Sequence, residues 1–71
     1  MKQAVITASL EHGAVLTVYW DGEYYGWEIA RRGPSAALSE GAGLSSKSLA
    51  LLAGLVEHFR HQALAFTMST P

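Results

Sequence analysis

The stretch AVLTVYWDGEYYGWEIARR, residues 14–32, decides the fold. Apolar and polar side chains alternate on both sides of Asp21-Gly22, which is typical of two half-buried antiparallel strands joined by a tight turn. A two-residue turn at this point places Leu16 opposite Trp27, both on the inward side of the sheet. The turn and the hydrophobic pattern therefore agree on the register.

A third alternating run precedes this hairpin along the chain. Its inward positions are Ala4, Ile6, Ala8 and Leu10. A three-residue loop that ends at Gly13 keeps these positions opposite the inward side chains of the next strand, with the glycine in the left-handed conformation. We predict strands at about 3–11, 14–20 and 23–32, arranged as a three-stranded antiparallel meander with the middle strand at its centre.

The rest of the chain predicts a linker and a helix. Residues 33–44 contain four glycines or prolines and are expected to cross one end of the sheet, with one helical turn at 35–40. Ser45 is a good N-cap for a helix over about 46–64. The apolar side chains at three- and four-residue steps along this helix are Leu49, Leu52, Val56, Phe59 and Ala63. We expect this stripe to seal the inward face of the sheet. The tail at 65–71 is either a short edge strand or frayed.

These elements predict a single α+β domain over residues 1–71, a βββ meander with one C-terminal helix packed on one face. Leu51 and Leu55 widen the helix stripe. Gly54 is unfavourable in a helix interior, which indicates a close approach between helix and sheet, over Trp27. Trp20 and Trp27 both point inward and are assigned to the core, and a place at the rim of the core is the alternative for Trp20.

Composition limits the size of the core and the class of partner. The 71 residues are 49% hydrophobic and only 15% charged, with a net charge of −1 and no cysteine. One core in a chain this short supplies about 3–5 kcal/mol, so we expect a homodimer that buries more surface. Five Lys and Arg residues are too few for the basic stripe that binds nucleic acid. Because the sequence has no long apolar run and no leader pattern, the expected location is cytoplasmic, without a membrane partner.

No residue pattern in the sequence predicts catalysis. His58 and His61 lie three residues apart beside Glu57, whereas the zinc-protease pattern spaces its histidines by four. Histidines near the end of a helix also interact favourably with its dipole. The glycines at 41–43 do not match the spacing of phosphate-binding loops, and no serine lies in a nucleophile elbow. We expect no enzyme, no metal, no cofactor and no small-molecule substrate.

The outer face of the predicted sheet is the candidate binding surface. The two-residue turn places Tyr19 opposite Tyr24, and tyrosine is frequent at protein contacts because it offers a rigid area with a polar tip. Cross-strand packing that stabilises the hairpin is the alternative explanation. Arg31 and Arg32 end the third strand, either as contacts for phosphate or an acidic partner or as solvated charges. The candidate residues for a protein partner or a dimer contact are Val15, Thr17, Tyr19, Tyr24, Glu28, Arg31 and Arg32.

The segments YWDGEYYGW (residues 19–27), as a compact hairpin, and SSKSLALLAGLVEHF (residues 45–59), as a covering helix, give a βββα order in a short chain. In this order the chain resembles small proteins of phages and mobile elements, in particular anti-CRISPR inhibitors. The resemblance implies a protein that binds a subunit of a nuclease complex and blocks it sterically. We therefore predict a small non-catalytic protein-interaction module, an inhibitor or adaptor. The alternative is a nucleic-acid-binding or regulatory protein that uses Arg31, Arg32 and Lys47.

Overall fold

A computed structural model of the chain describes residues 2–31 and 39–69. Its elements are β1 (Gln3–Ser9), β2 (Val15–Trp20), β3 (Tyr25–Ala30), β4 (Ser39–Leu44) and α1 (Lys47–Ser69). The four strands form one antiparallel sheet in the order β1-β2-β3-β4, and α1 packs against β2, β3 and β4. The α+β class, the antiparallel sheet and the C-terminal helix are confirmed. The three-stranded meander is wrong, because the sheet has a fourth strand.

The loop between β1 and β2 has the three residues that the sequence predicts. Ile6 lies opposite Val18, and Gly13 has a left-handed φ of 75°. His12 also has a positive φ, 61°, which is uncommon for a residue with a side chain. The inward position expected for Ala4 is wrong: a bulge between Ala4 and Ile6 reverses the faces at the start of β1, and Ala4 is exposed.

The hairpin between β2 and β3 keeps the predicted faces but not the predicted turn. Leu16 lies opposite Ile29 rather than opposite Trp27, and the connection is a four-residue loop at 21–24. Because side chains alternate with a period of two, a shift of two residues leaves the same side chains inward. The hydrophobic pattern therefore cannot distinguish the two registers.

The side chain of Asp21 explains the longer loop. Its Oδ1 accepts hydrogen bonds from the backbone N–H groups of Glu23 and Tyr24, both at 2.8 Å. The backbone N–H of Asp21 donates to the carbonyl of Tyr24 at 3.0 Å, and Gly22 takes a positive φ of 104°. The bonds from Tyr24 and Glu23 hold the pKa of the Asp21 carboxyl below its usual range. An aspartate that binds the backbone two and three residues ahead stabilises a loop of this length.

Residues 39–44 form a strand rather than a linker. β4 pairs with β3 so that Gly41 lies opposite Trp27, and a Cβ atom at Gly41 would lie 2.5 Å from Nε1 of the indole. The sequence of β4, SEGAGL, lacks the β-branched and aromatic residues that indicate a strand, so the pattern predicts a loop. The helical turn expected at 35–40 is wrong for residues 39 and 40. Residues 33–38 of the predicted linker lie outside the described residues.

The core lies between the sheet and α1. Leu16, Val18, Ile29 and Ala50 are fully buried. Partly buried side chains that pack against this core are Leu10, Trp27, Leu51 and Leu55. The inward assignment of β2 and β3 is confirmed, and Trp20, which is 38% exposed, takes the alternative position at the rim of the core.

α1 begins and ends later than predicted. The Oγ atom of Ser46 accepts a hydrogen bond from the backbone N–H of Leu49 at 3.1 Å, so Ser46, and not Ser45, caps the helix. The helix continues to Ser69. Residues 65–69 are therefore helical, and the edge strand considered for the tail is wrong.

The face of α1 that packs on the sheet is not the predicted one. Ala50, Gly54 and His58 are buried at four-residue steps, whereas Leu52 is 57% and Phe59 is 60% exposed. The stripe that was expected to seal the sheet lies on the opposite side of the helix.

Close packing explains this choice of face. A Cβ atom at Gly54 would lie 2.6 Å from Cδ1 of Leu16, so the glycine allows the helix backbone to approach the sheet. The predicted close approach at Gly54 is confirmed, but it occurs over Leu16 rather than over Trp27. Leu51 and Leu55 then reach the core from the side of the helix.

Candidate protein-interaction surfaces

Four of the predicted site residues lie together on the outer face of the sheet. Thr17 and Glu28 are cross-strand partners, with Val15 and Tyr19 next to them on the same face of β2. The Tyr19 hydroxyl donates a hydrogen bond to Oε2 of Glu28 at 3.2 Å. This bond holds the Tyr19 ring and the Glu28 carboxylate in a fixed relation across two strands.

Lys2 adds a positive charge to this face. The bulge in β1 places Ala4 opposite Tyr19, and Nζ of Lys2 lies 4.6 Å from the centre of the Tyr19 ring. A cation over an aromatic ring contributes about 0.5–1 kcal/mol at an exposed site. The alternating pattern gave no sign of Lys2, because only the bulge turns the start of β1 toward the outer face.

Tyr24 does not belong to this group. It lies in the loop at 21–24 and is 44% exposed, while Gly26 occupies the position opposite Tyr19. The expected pairing of Tyr19 with Tyr24 is wrong, because the four-residue loop shifts β3 by two residues. A Cβ atom at Gly26 would lie 2.8 Å from the carbonyl oxygen of Gly41, so bare backbone lies next to the Tyr19 ring.

A cleft of about 430 Å³ opens beside this bare backbone. The charged residues that line it are Lys2, Asp21 and Glu40. Glu40 is also the cross-strand partner of Glu28, and two carboxylates directly opposite one another repel. The outer face is therefore ordered and polar, with charges of both signs.

Arg31 lies on the other side of the sheet from this face. Its Nη1 donates a hydrogen bond to Oγ of Ser39 at 2.8 Å, which ties the end of β3 to the start of β4. Arg31 is partly buried, and its charge is one of those that lower the pKa of Glu57 on α1. The structure does not bring Arg31 together with Tyr19 and Glu28. Arg32 lies outside the described residues, and Lys47 is exposed at the start of α1.

The two helix histidines have different surroundings. His58 is only 4% exposed, and neither of its ring nitrogens has a hydrogen-bond partner among the described residues. His61 is exposed. Within residues 2–31 and 39–69, no group of three or more potential metal-ligating His, Cys, Asp or Glu side chains is found.

The side of α1 away from the sheet carries a row of large apolar side chains at steps of three, four and three residues. They are Leu49, 47% exposed, Leu52, 57%, Val56, 56%, and Phe59, 60%. We call these four residues the α1 seam. The sequence pattern identified the seam but assigned it to the core, because a stripe of this kind ordinarily packs against the rest of its own domain.

One edge of the seam carries a neutralised pair of charges. Arg60 Nη2 and Nε donate to the two carboxylate oxygens of Glu57, at 2.6 and 3.0 Å. These hydrogen bonds lower the pKa of Glu57 and raise the pKa of Arg60. The other edge carries the uncharged Leu55 and Gln62. Neither edge of the seam has a net charge.

The outer face and the α1 seam thus differ in chemistry: the first is polar and charged, the second apolar and uncharged. None of the helices among the described residues is both long enough and apolar enough to cross a membrane. No protein-family model, no curated protein and no solved structure matches the chain.

Proposed function

We propose that the chain is a small non-catalytic protein-interaction module and that the α1 seam is its principal contact surface. One observation carries this proposal: four large apolar side chains, each about half exposed, follow one another along the outer side of a helix. Contiguous apolar surface of this kind is characteristic of protein contact sites. Spacing by three and four residues is also how one helix packs along another or lies in an apolar groove.

Such a module acts by covering part of its partner's surface, as an adaptor or a steric inhibitor does. The resemblance to anti-CRISPR inhibitors makes a subunit of a nuclease complex one candidate for that partner. The polar outer face, with the ordered Tyr19, is suited to a second and more polar contact.

Capture of binding proteins from a lysate of the source cell tests this function. The immobilised chain is compared with Leu52→Glu, which places a charge in the middle of the seam, and with the matched control His61→Glu, which places the same charge on α1 at an exposed position off the seam. Circular dichroism first establishes that all three proteins keep their helix.

We expect specific capture by the unmodified chain and by His61→Glu, and a loss of at least tenfold with Leu52→Glu. Capture that is equal for all three proteins would contradict the role of the seam.

A further inference from the structure

We propose that the α1 seam binds a second copy of this chain, so that two α1 helices pack antiparallel along their seams in a homodimer. This inference rests on the proposed function, for which it names the occupant of the contact surface. The spacing, the area and the charge of the seam support it.

The spacing of the seam is that of a two-helix interface. Leu49 and Val56 lie seven residues apart and occupy one position of a heptad repeat. Leu52 and Phe59, also seven apart, occupy the other apolar position of the repeat. A two-fold axis joins a surface to an identical copy of itself, so a self-complementary row is what a symmetric dimer requires.

An antiparallel arrangement uses the four seam residues completely. With the axis level with residue 54, Leu49 of one copy lies beside Phe59 of the other, and Leu52 lies beside Val56. Each of these contacts occurs twice because of the two-fold symmetry, and each pairs a larger side chain with a smaller one. In a parallel arrangement the two Phe59 rings, and the two smaller Val56 side chains, would share layers, which gives uneven packing.

The exposed area is of the size that a dimer needs. Four side chains that are each about half exposed, together with the helix surface between them, present on the order of 500 Å² per copy. Two copies that cover all of this area bury about 1,000 Å² in total, which is the lower bound for a specific interface. Among the side chains that the structure describes, a single copy fully buries few large ones, namely Leu16, Val18 and Ile29, so it gains much from this burial.

The charges beside the seam permit this pairing. Glu57 and Arg60 neutralise one another within each copy, and the opposite edge has Leu55 and Gln62. Two identical edges with no net charge do not repel, whereas a strongly charged partner would find no complementary charge here.

The mass of the protein in solution tests this proposal, by light scattering after gel filtration over a range of concentrations. We expect twice the chain mass of 7.6 kDa for the unmodified protein and for His61→Glu, and 7.6 kDa for Leu52→Glu. Leu52→Ser removes an apolar side chain from the seam without adding a charge, and we expect it to weaken the dimer at least tenfold. This variant separates loss of apolar contact from the effect of burying a charge. A dimer that persists in both Leu52 variants would overturn the proposal, because the copies would then meet elsewhere.

Failure of this inference is distinguishable from failure of the proposed function. A monomer at every concentration overturns self-pairing, while seam-dependent capture of a different protein would still support the proposed function. A protein that is monomeric at every concentration and whose capture of other proteins does not depend on the seam would contradict both the self-pairing and the proposed function.

Cysteine cross-linking tests the direction of the helices, since the chain has no cysteine of its own. An oxidised mixture of Leu49→Cys and Phe59→Cys should give the mixed disulfide dimer, and Leu49→Cys alone should remain uncross-linked. Efficient cross-linking of Leu49→Cys with itself would overturn the antiparallel arrangement.

Discussion

α1 presents two different faces. The face on the sheet has Ala50, Gly54 and His58 along its centre, which are two small residues and one polar ring. The opposite face has the large apolar side chains of the α1 seam, each about half exposed. A helix usually buries its most apolar stripe, so hydrophobicity alone does not decide which side of α1 meets the sheet.

Fit decides it instead. The sheet already supplies large side chains, above all Leu16, which lies directly under Gly54. Small residues on the helix complement them, and Leu51 and Leu55 fill the space at the side. α1 therefore has enough apolar surface for two contacts, one within the chain and one with a second molecule.

Truncation of one leucine on each side of this comparison should give the largest contrast. Leu16→Ala removes a fully buried side chain and should lower the free energy of unfolding by about 2–5 kcal/mol. Leu52→Ala, at a dilution where the protein is monomeric, should change it by no more than about 0.5 kcal/mol. Urea denaturation followed by circular dichroism measures both, and equal losses would refute the assignment of faces.

Enlargement of the small residue at the helix–sheet contact is the next test. Gly54→Leu must displace Leu16 or the helix, and should cost about 1–3 kcal/mol of the free energy of unfolding despite the better helix propensity of leucine. His61→Leu, the same side chain at an exposed position of α1, is the control and should be nearly neutral. A Gly54→Leu protein as stable as the unmodified chain would mean that this side of α1 does not touch the sheet.

Substitution of His58 should raise the free energy of unfolding, whereas Leu16→Ala and Gly54→Leu should lower it. Its ring nitrogens are buried without hydrogen-bond partners among the described residues, which is unfavourable. His58→Leu keeps a similar volume and should raise the free energy of unfolding by about 1 kcal/mol at neutral pH. Thermal melts of the two proteins check this, and a lower melting temperature for His58→Leu would contradict the burial described for this face.

The Glu57–Arg60 pair, which lies between the two faces of α1, should have the smallest effect on the free energy of unfolding. The pKa of Glu57 lies below its ordinary value of 4.5, chiefly because Arg60 donates hydrogen bonds to it. The ionised form therefore stabilises the folded chain above that ordinary value, and this contribution is lost as the pH falls through the lower folded-state pKa. The stability difference between the unmodified protein and Glu57→Gln should be present at pH 7 and should shrink in acid. A difference that is the same at both ends of this range would exclude the pair as its source.

Much of the fold follows from the sequence, and the exceptions have identifiable physical causes. The alternation in β1, β2 and β3 and the glycine at Gly13 define three strands, one loop and, apart from the start of β1, the inward side. The register of the second hairpin does not follow, because a shift of two residues preserves every face and the decisive bonds come from the side chain of Asp21.

Two further exceptions concern glycines. β4 is a strand without strand-forming residues, and Gly41 belongs there because the Trp27 ring occupies the space of a side chain. At Gly54 the absence of a side chain lets the helix backbone approach the sheet, so that the face of α1 opposite to the predicted one packs on the sheet. The outer-face group of Val15, Thr17, Tyr19 and Glu28 could be predicted from alternation, while Lys2 could not, since it depends on the bulge in β1.

Covalent footprinting of side chains across a dilution series tests the two faces of α1 most directly. Leu52, Val56 and Phe59 should be labelled strongly in the dilute protein and become protected as its concentration rises, whereas Leu16 and Ile29 should be protected throughout. Protection of Phe59 at every concentration, in the monomeric Leu52→Glu variant as well as in the unmodified protein, would contradict the account, since it would place the seam against the chain's own sheet.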